Sequence, residues 1–219
     1  MIENYFSLTG VRLKWTFPGD DSSGTKDGSI IANPDRGVGP MIYDGMDGEL
    51  TSPSSTHASR FGLTMGMPIP YRWLFYSVGH TTKRMLAAGD VLTGYMSGCL
   101  ITLWTDEVRY VGHVGTADYS AEISKKVKGR FAAAMPANTT GFDPAGAWGP
   151  AEIRPKQQKF KLFAEPKILA LVTTSQRFYS VLLFKLSGAP NTWCVGGIRE
   201  VPPMNRDALY LRMKKLGDK

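Results

Sequence analysis

The sequence predicts an α/β (α+β) fold, a strand-rich sandwich with mixed or antiparallel central sheets and a few flanking helices. Short runs rich in aromatic and β-branched residues recur at 100–104, 108–114, 168–174, 177–185 and 193–199. Two of the intervals between them, Thr105-Asp106-Glu107 and Ser175-Gln176, have the length and composition of hairpin loops. Hydrophobic residues make up 42% of the 219 positions and aromatics 11%, enough for one substantial core, so residues 1–219 are read as a single domain.

Taken in order, residues 5–17 alternate through Phe6, Leu8, Val11, Leu13, Trp15 and Phe17, which predicts one or two strands turning at Gly10. From Pro18 to about Pro70, Gly, Pro, Ser and Asp crowd the chain, which predicts a loop-rich layer with short strands at 29–32 and 41–43. Residues 71–78 read as an aromatic strand, and 81–88 as a short helix capped by Thr81 and stopped by Gly89. The 100–114 hairpin follows. Ser120 then caps a helix on which Ile123, Val127 and Phe131 recur every four residues, while Lys125, Lys126, Lys128 and Arg130 fill exposed faces. Residues 136–155 read as loop. A last helix starts from Asn205 as N-cap, aligns Leu209, Met213 and Leu216, and ends at Gly217.

Composition excludes several classes. With only Cys99 and Cys194, a disulfide framework is ruled out, and a domain of this size does not need the one bond they could make. The longest apolar runs fall far below the ~20 residues that cross a bilayer, so no membrane role is expected, and the N-terminus shows no readable secretory signal. The three histidines are scattered, and the acidic stretch Asp44 to Glu49 departs from calcium-loop spacing, so neither a metal nor a cofactor is expected. P-loop and dinucleotide fingerprints, repeats and heptads are missing, and a monomer is the simplest reading. The net charge of +7 and pI near 9.4 suit an acidic partner.

One window carries chemistry. Thr93-Gly94-Tyr95-Met96-Ser97-Gly98-Cys99 offers a thiol on a small-residue turn, and His113 lies one hairpin away in Gly112-His113-Val114-Gly115-Thr116. The hairpin should bring Cys99 and His113 to face each other across one end of the ladder, where an imidazole can make and hold a thiolate. Ser97 and Gly98 leave little bulk beside the sulfur, Gly98 permits a turn that exposes it, and the Cys99 backbone N–H can serve as an oxyanion donor. His57, in a polar loop, and His80, at the predicted helix entrance, are weaker candidates.

Met96-Ser97-Gly98-Cys99 followed by His113-Val114-Gly115-Thr116 resembles the Leu-Ser-Gly-Cys plus downstream His pattern of the bacterial glutamine deamidase toxins, typified by cytotoxic necrotising factor and Burkholderia lethal factor. Met96 stands where that family usually has leucine, a swap that conserves volume. The resemblance implies a secreted toxin or effector that attacks a glutamine carboxamide of a host or competitor protein. Cys99 would be the nucleophile, His113 the general base and acid, and Thr93 the residue that orients the histidine. It further implies a small GTPase or a translation factor as target, export by a route that needs no readable leader, and action in the target-cell cytosol.

Two rival readings start from the same residues. A Cys-His pair also runs thiol hydrolases and transglutaminases, which share the acyl-enzyme step. A non-enzymatic basic module would use Lys125, Lys126, Lys128, Arg130, Lys156, Lys159 and Lys161 with Tyr119, Phe131 and Phe160 as stacking aromatics, but no nucleic-acid motif accompanies them, so nucleic acid is not the expected partner.

Overall fold

Alternation along each strand decides which core a residue joins, and here it separates the chain into two sheets with helical residues on the outer face of each. A computed structural model describes residues 2–15, 30–32, 41–45, 68–69, 71–87, 89–159, 166–186 and 192–217. The strands are β1 (Arg12–Lys14), β2 (Ile30–Ala32), β3 (Met41–Gly45), β4 (Pro68–Ile69), β5 (Arg72–Trp73), β6 (Thr81–Met85), β7 (Val91–Gly94), β8 (Leu100–Asp106), β9 (Val108–Val114), β10 (Thr140–Phe142), β11 (Pro166–Val172), β12 (Phe178–Lys185) and β13 (Thr192–Glu200). The helices are α1 (Glu3–Phe6), α2 (Ala121–Ala134), α3 (Pro150–Lys159) and α4 (Arg206–Gly217). The larger sheet runs β4-β3-β1-β13-β12-β11-β7-β5 and the smaller β10-β8-β9-β6-β2. Pairing is antiparallel except at β5/β7 and β2/β6, so the sheets are mixed as expected.

Between the sheets, Val91, Ala170, Val172 and Phe178 of the larger pack against Cys99, Ile101, Leu103, Val111 and Phe142 of the smaller. Residues one step out of phase, Leu92, Leu169 and Leu171, join Trp15, Tyr71, Trp73 and the α1 residue Phe6 on the far face of the larger sheet. On the outer face of the smaller sheet, Leu100, Trp104 and Val114 meet Val127 and Phe131 of α2 and Leu209 and Met213 of α4. Gly112 makes that last contact possible. A Cβ there would lie 2.5 Å from the Trp104 ring and 2.6 Å from Thr102 Oγ1, so only glycine admits the indole beside the strand that carries His113.

Several predicted elements hold. The hairpins at β8/β9 and β11/β12 form, with Glu107 (φ 57°) and Gln176 (φ 64°) taking the left-handed turn positions. Ser120 Oγ accepts from Ile123 N–H at the start of α2, and Asn205 Oδ1 accepts from Ala208 N–H at the start of α4. Strands stand at 30–32, 41–45 and 68–69, the chain turns at Gly10 (φ 94°), and the rest of the loop-rich stretch, with Phe17, lies outside the described residues.

Four readings are corrected. Residues 3–6 are helical, because Ile2 and Phe6, four apart, both enter the core and the alternation begins only later. Residues 81–85 are strand β6, not a helix: Thr81 and Thr82 are β-branched, and β9 pairs with the segment from Thr81↔Val114 to Met85↔Tyr110. The 71–78 strand stops at Trp73, because side chains then take over its carbonyls. Arg84 Nη1 donates to Trp73 O at 3.1 Å and Thr82 Oγ1 to Phe75 O at 2.6 Å. Residues 136–155 are not all loop, since β10 pairs with β8 and α3 starts at Pro150, where proline costs no hydrogen bond. Glu152 Oε2 accepts from Gly149 N–H at that helix start, and Pro155 inside α3 is what disguised it.

Candidate functional site

The β8/β9 register places the thiol and the imidazole. Ile101 lies directly opposite His113, and Cys99, two residues before Ile101, shares its face and its cluster between the sheets. Cys99 is therefore the diagonal neighbour of His113 across the ladder end and not its facing partner, which corrects the expected geometry by two residues.

Thr93 reaches the same place from the other sheet. It pairs with Ala170 in the larger sheet and points toward the space between sheets, where its Oγ1 lies 2.7 Å from His113 Nδ1. This hydrogen bond crosses the sandwich. His113 is 1% exposed, and its Nε2 is buried with no hydrogen-bond partner. Burial, reinforced by the Lys128 charge, pulls the imidazole down to about 3, so it is neutral at physiological pH. The Tyr76 ring lies beside it at a centroid distance of 5.4 Å, and the Tyr76 hydroxyl donates to Thr116 O.

Thr93→Val keeps the shape and deletes the hydroxyl, leaving both imidazole nitrogens buried without partners. The expected cost is about 1–3 kcal/mol, read as a lower thermal midpoint than the parent's.

Cys99 is 2% exposed, so the turn does not present it to solvent as expected. Burial pushes its thiol above the ordinary value, and bonds from the Thr116 side chain and backbone pull the other way, followed by the Lys128 charge. Asp118 adds to the upward push. Gly98 is half-buried and adopts no left-handed φ, and a Cβ on it would meet Thr116 Oγ1 at 3.4 Å, an ordinary van der Waals contact, so, contrary to expectation, the turn does not require glycine. Ser97 is exposed, and its hydroxyl donates to Asp118 Oδ1 at 3.0 Å, closing the strand end from outside.

Lys128 overturns its expected place. It is 1% exposed, and its Nζ donates to Thr116 Oγ1 at 2.9 Å. The signal was in the spacing: Ser124, Val127, Lys128 and Phe131 form one i, i+3, i+4, i+7 stripe, and all four are buried. Thr116, Asp118 and Tyr76 were likewise not identified as site residues from sequence.

The remaining candidates are placed elsewhere. His80 is buried, its Nδ1 3.2 Å from Ser77 Oγ and 2.9 Å from Val78 O, and it enters a strand instead of a helix. His57 lies outside the described residues, as do 46–49 of the acidic stretch. Among the described residues no three His, Cys, Asp or Glu side chains converge as a metal site would require. Both cysteines are free and buried, Cys194 in β13 with its thiol pushed up to about 12 by desolvation. For the basic-module reading, Phe131 is buried and unable to stack, Lys128 is spoken for, Tyr119 is exposed, and Phe160 lies outside the described residues.

Comparison of the chain with protein-family models, with curated proteins and with solved structures finds no match.

Proposed function

We propose that the protein is a thiol-dependent glutamine deamidase acting on a protein substrate. The observation that carries this reading is the Thr93–His113 hydrogen bond, which anchors Nδ1 and leaves Nε2 unpartnered on the face that holds Cys99. If the Thr93 hydroxyl accepts from Nδ1–H, Nε2 presents a lone pair, the form a general base needs.

In the proposed reaction Nε2 takes the thiol proton as Sγ attacks the carboxamide carbon of a glutamine. The same proton then goes to the departing nitrogen, ammonia leaves, and a thioester remains. Water, deprotonated by Nε2, hydrolyses the thioester to glutamate and restores the thiol. The Cys99 backbone N–H is the proposed oxyanion donor, with Ser97 and Gly98 shaping the approach. Because both reacting groups are buried, the carboxamide gains access when the Ser97–Asp118 contact opens. The family resemblance supplies the target class, a small GTPase or a translation factor, and with it the role of a secreted bacterial effector.

The test is incubation with host-cell lysate, followed by peptide mass spectrometry and ammonia measurement, with and without an added primary amine. Glutamines that gain ~1 Da with release of ammonia are expected. Crosslinking of the amine in their place would make the protein a transglutaminase, and no modified glutamine at all would end the proposal.

A further inference from the structure

The thiol and the imidazole do not account for the buried ammonium beside them. Lys128 comes from α2, which packs on the outer face of the smaller sheet, whereas Cys99 belongs to the core between the sheets. The connection runs around the end of β9 through Thr116: Lys128 Nζ donates to Thr116 Oγ1, which keeps its own proton to donate, and Thr116 Oγ1 lies 3.4 Å from where a Cβ on Gly98, the neighbour of Cys99 in the chain, would stand. The side chain and backbone of Thr116 both hold the Cys99 thiol down. A lysine held almost wholly out of water needs an anionic or strongly polar partner to keep its charge.

We propose that Lys128 is the positioning residue that stabilises the Cys99 thiolate, acting through the Thr116 hydroxyl, while His113 stays a neutral proton carrier. When the thiol ionises, its proton leaves by way of His113 Nε2, which is an imidazolium only in transit, the negative charge on Sγ is held by the Thr116 O–H and N–H donors, and Lys128 remains an ammonium throughout. The same positive charge disfavours a lasting imidazolium at His113, which the Lys128 contribution there reflects. Burial pulls the Lys128 ammonium below its ordinary value, and the charges of Cys99 and Asp143 oppose that pull, Asp143 being itself engaged by Arg212. Asp118, the other acid near the thiol, receives the Ser97 hydroxyl. The thiolate of Cys99, when it forms, is therefore the anion that Lys128 is placed to serve.

This inference rests on the deamidase reading for its role in turnover, but its test reads the thiol alone. The far-ultraviolet absorbance of the thiolate is titrated with pH, and the Cys99 contribution is isolated by subtracting the Cys99→Ser titration. Lys128→Met should move the midpoint up by about one pH unit or more, a tenfold or larger fall in thiolate fraction below both midpoints. Lys128→Arg should stay near the parent, and Thr116→Val, which removes the relay and keeps the lysine, should shift in the same direction as Lys128→Met. His113→Gln should not raise the midpoint by a comparable amount.

Superimposable titrations for the parent, Lys128→Met and Thr116→Val would overturn the proposal, as would a shift found only in His113→Gln. Should Lys128→Met lose its cooperative melt, Thr116→Val decides. A shift without any glutamine conversion in lysate would leave this inference standing and remove the deamidase; conversion without a shift would do the reverse.

Discussion

Cys99→Ser is expected to abolish glutamine conversion, a loss of about 10⁴-fold or more, while the protein keeps its fold. A serine hydroxyl is close to the thiol in size and can take the bonds that Thr116 makes to the sulfur, so little packing is lost. What disappears is nucleophilicity: an alkoxide is far harder to form than a thiolate, and a neutral imidazole 1% exposed is a weak base for that task. Ammonia release and the ~1 Da gain on substrate peptides give the activity, and a thermal melt gives the fold. Persistence of conversion in this variant would move the nucleophile elsewhere. Cys194 offers no ready substitute, since it sits in β13 of the larger sheet with its thiol held near 12.

Acid should destabilise the folded protein through His113. Its imidazole titrates at about 3 when folded and near ~6.5 in an unfolded chain, so between those values the unfolded state binds the extra proton. Stability from this source is fully present above ~6.5, falls by about 1.4 kcal/mol per pH unit as the pH drops, and is exhausted near 3. The total is several kcal/mol, a large share of the ~5–15 kcal/mol typical of a folded domain. His113→Gln has no proton to gain and keeps an amide in reach of Thr93, so its stability should fall less steeply over the same window. Carboxylates titrate in both proteins and cancel in the difference. Denaturant midpoints measured at intervals from pH 7 to pH 3 check it, and parallel curves for the two proteins would contradict the burial of a neutral imidazole.

The fold was legible where local pattern and ladder agree. The 100–114 and 168–185 hairpins declare themselves by length, β-branched content and turn residues, and Ser120 and Asn205 mark real helix starts. The 81–85 segment was misread because a cap-like Thr81 and a stopping Gly89 imitate helix signals, while the neighbour that makes it a strand, β9, lies more than twenty residues away. α3 is hard to read in the sequence because Pro155 interrupts it, while the bond from Gly149 N–H to Glu152 Oε2 that starts it is visible only in the fold.

At the site, Cys99 and His113 could be joined from sequence because a hairpin fixes their relation within a step. Thr93 entered only through a family resemblance, since nothing local links a residue of β7 to one in β9. Lys128 was discounted by its chemical type, although its place on the apolar stripe of α2 pointed inward. Charge made the exposed reading seem sufficient, and spacing contradicted it.

The hydrogen bond between Thr93 and His113 joins residues on opposite sheets, so the imidazole acquires its orientation only when the two halves of the sandwich dock. A chain with either sheet formed alone would carry a cysteine and a histidine with no fixed relation to Thr93. On the deamidase proposal, competence for chemistry is thereby tied to completion of the tertiary structure, and the regain of glutamine conversion during refolding would report sheet docking, separable from the earlier signal of strand formation.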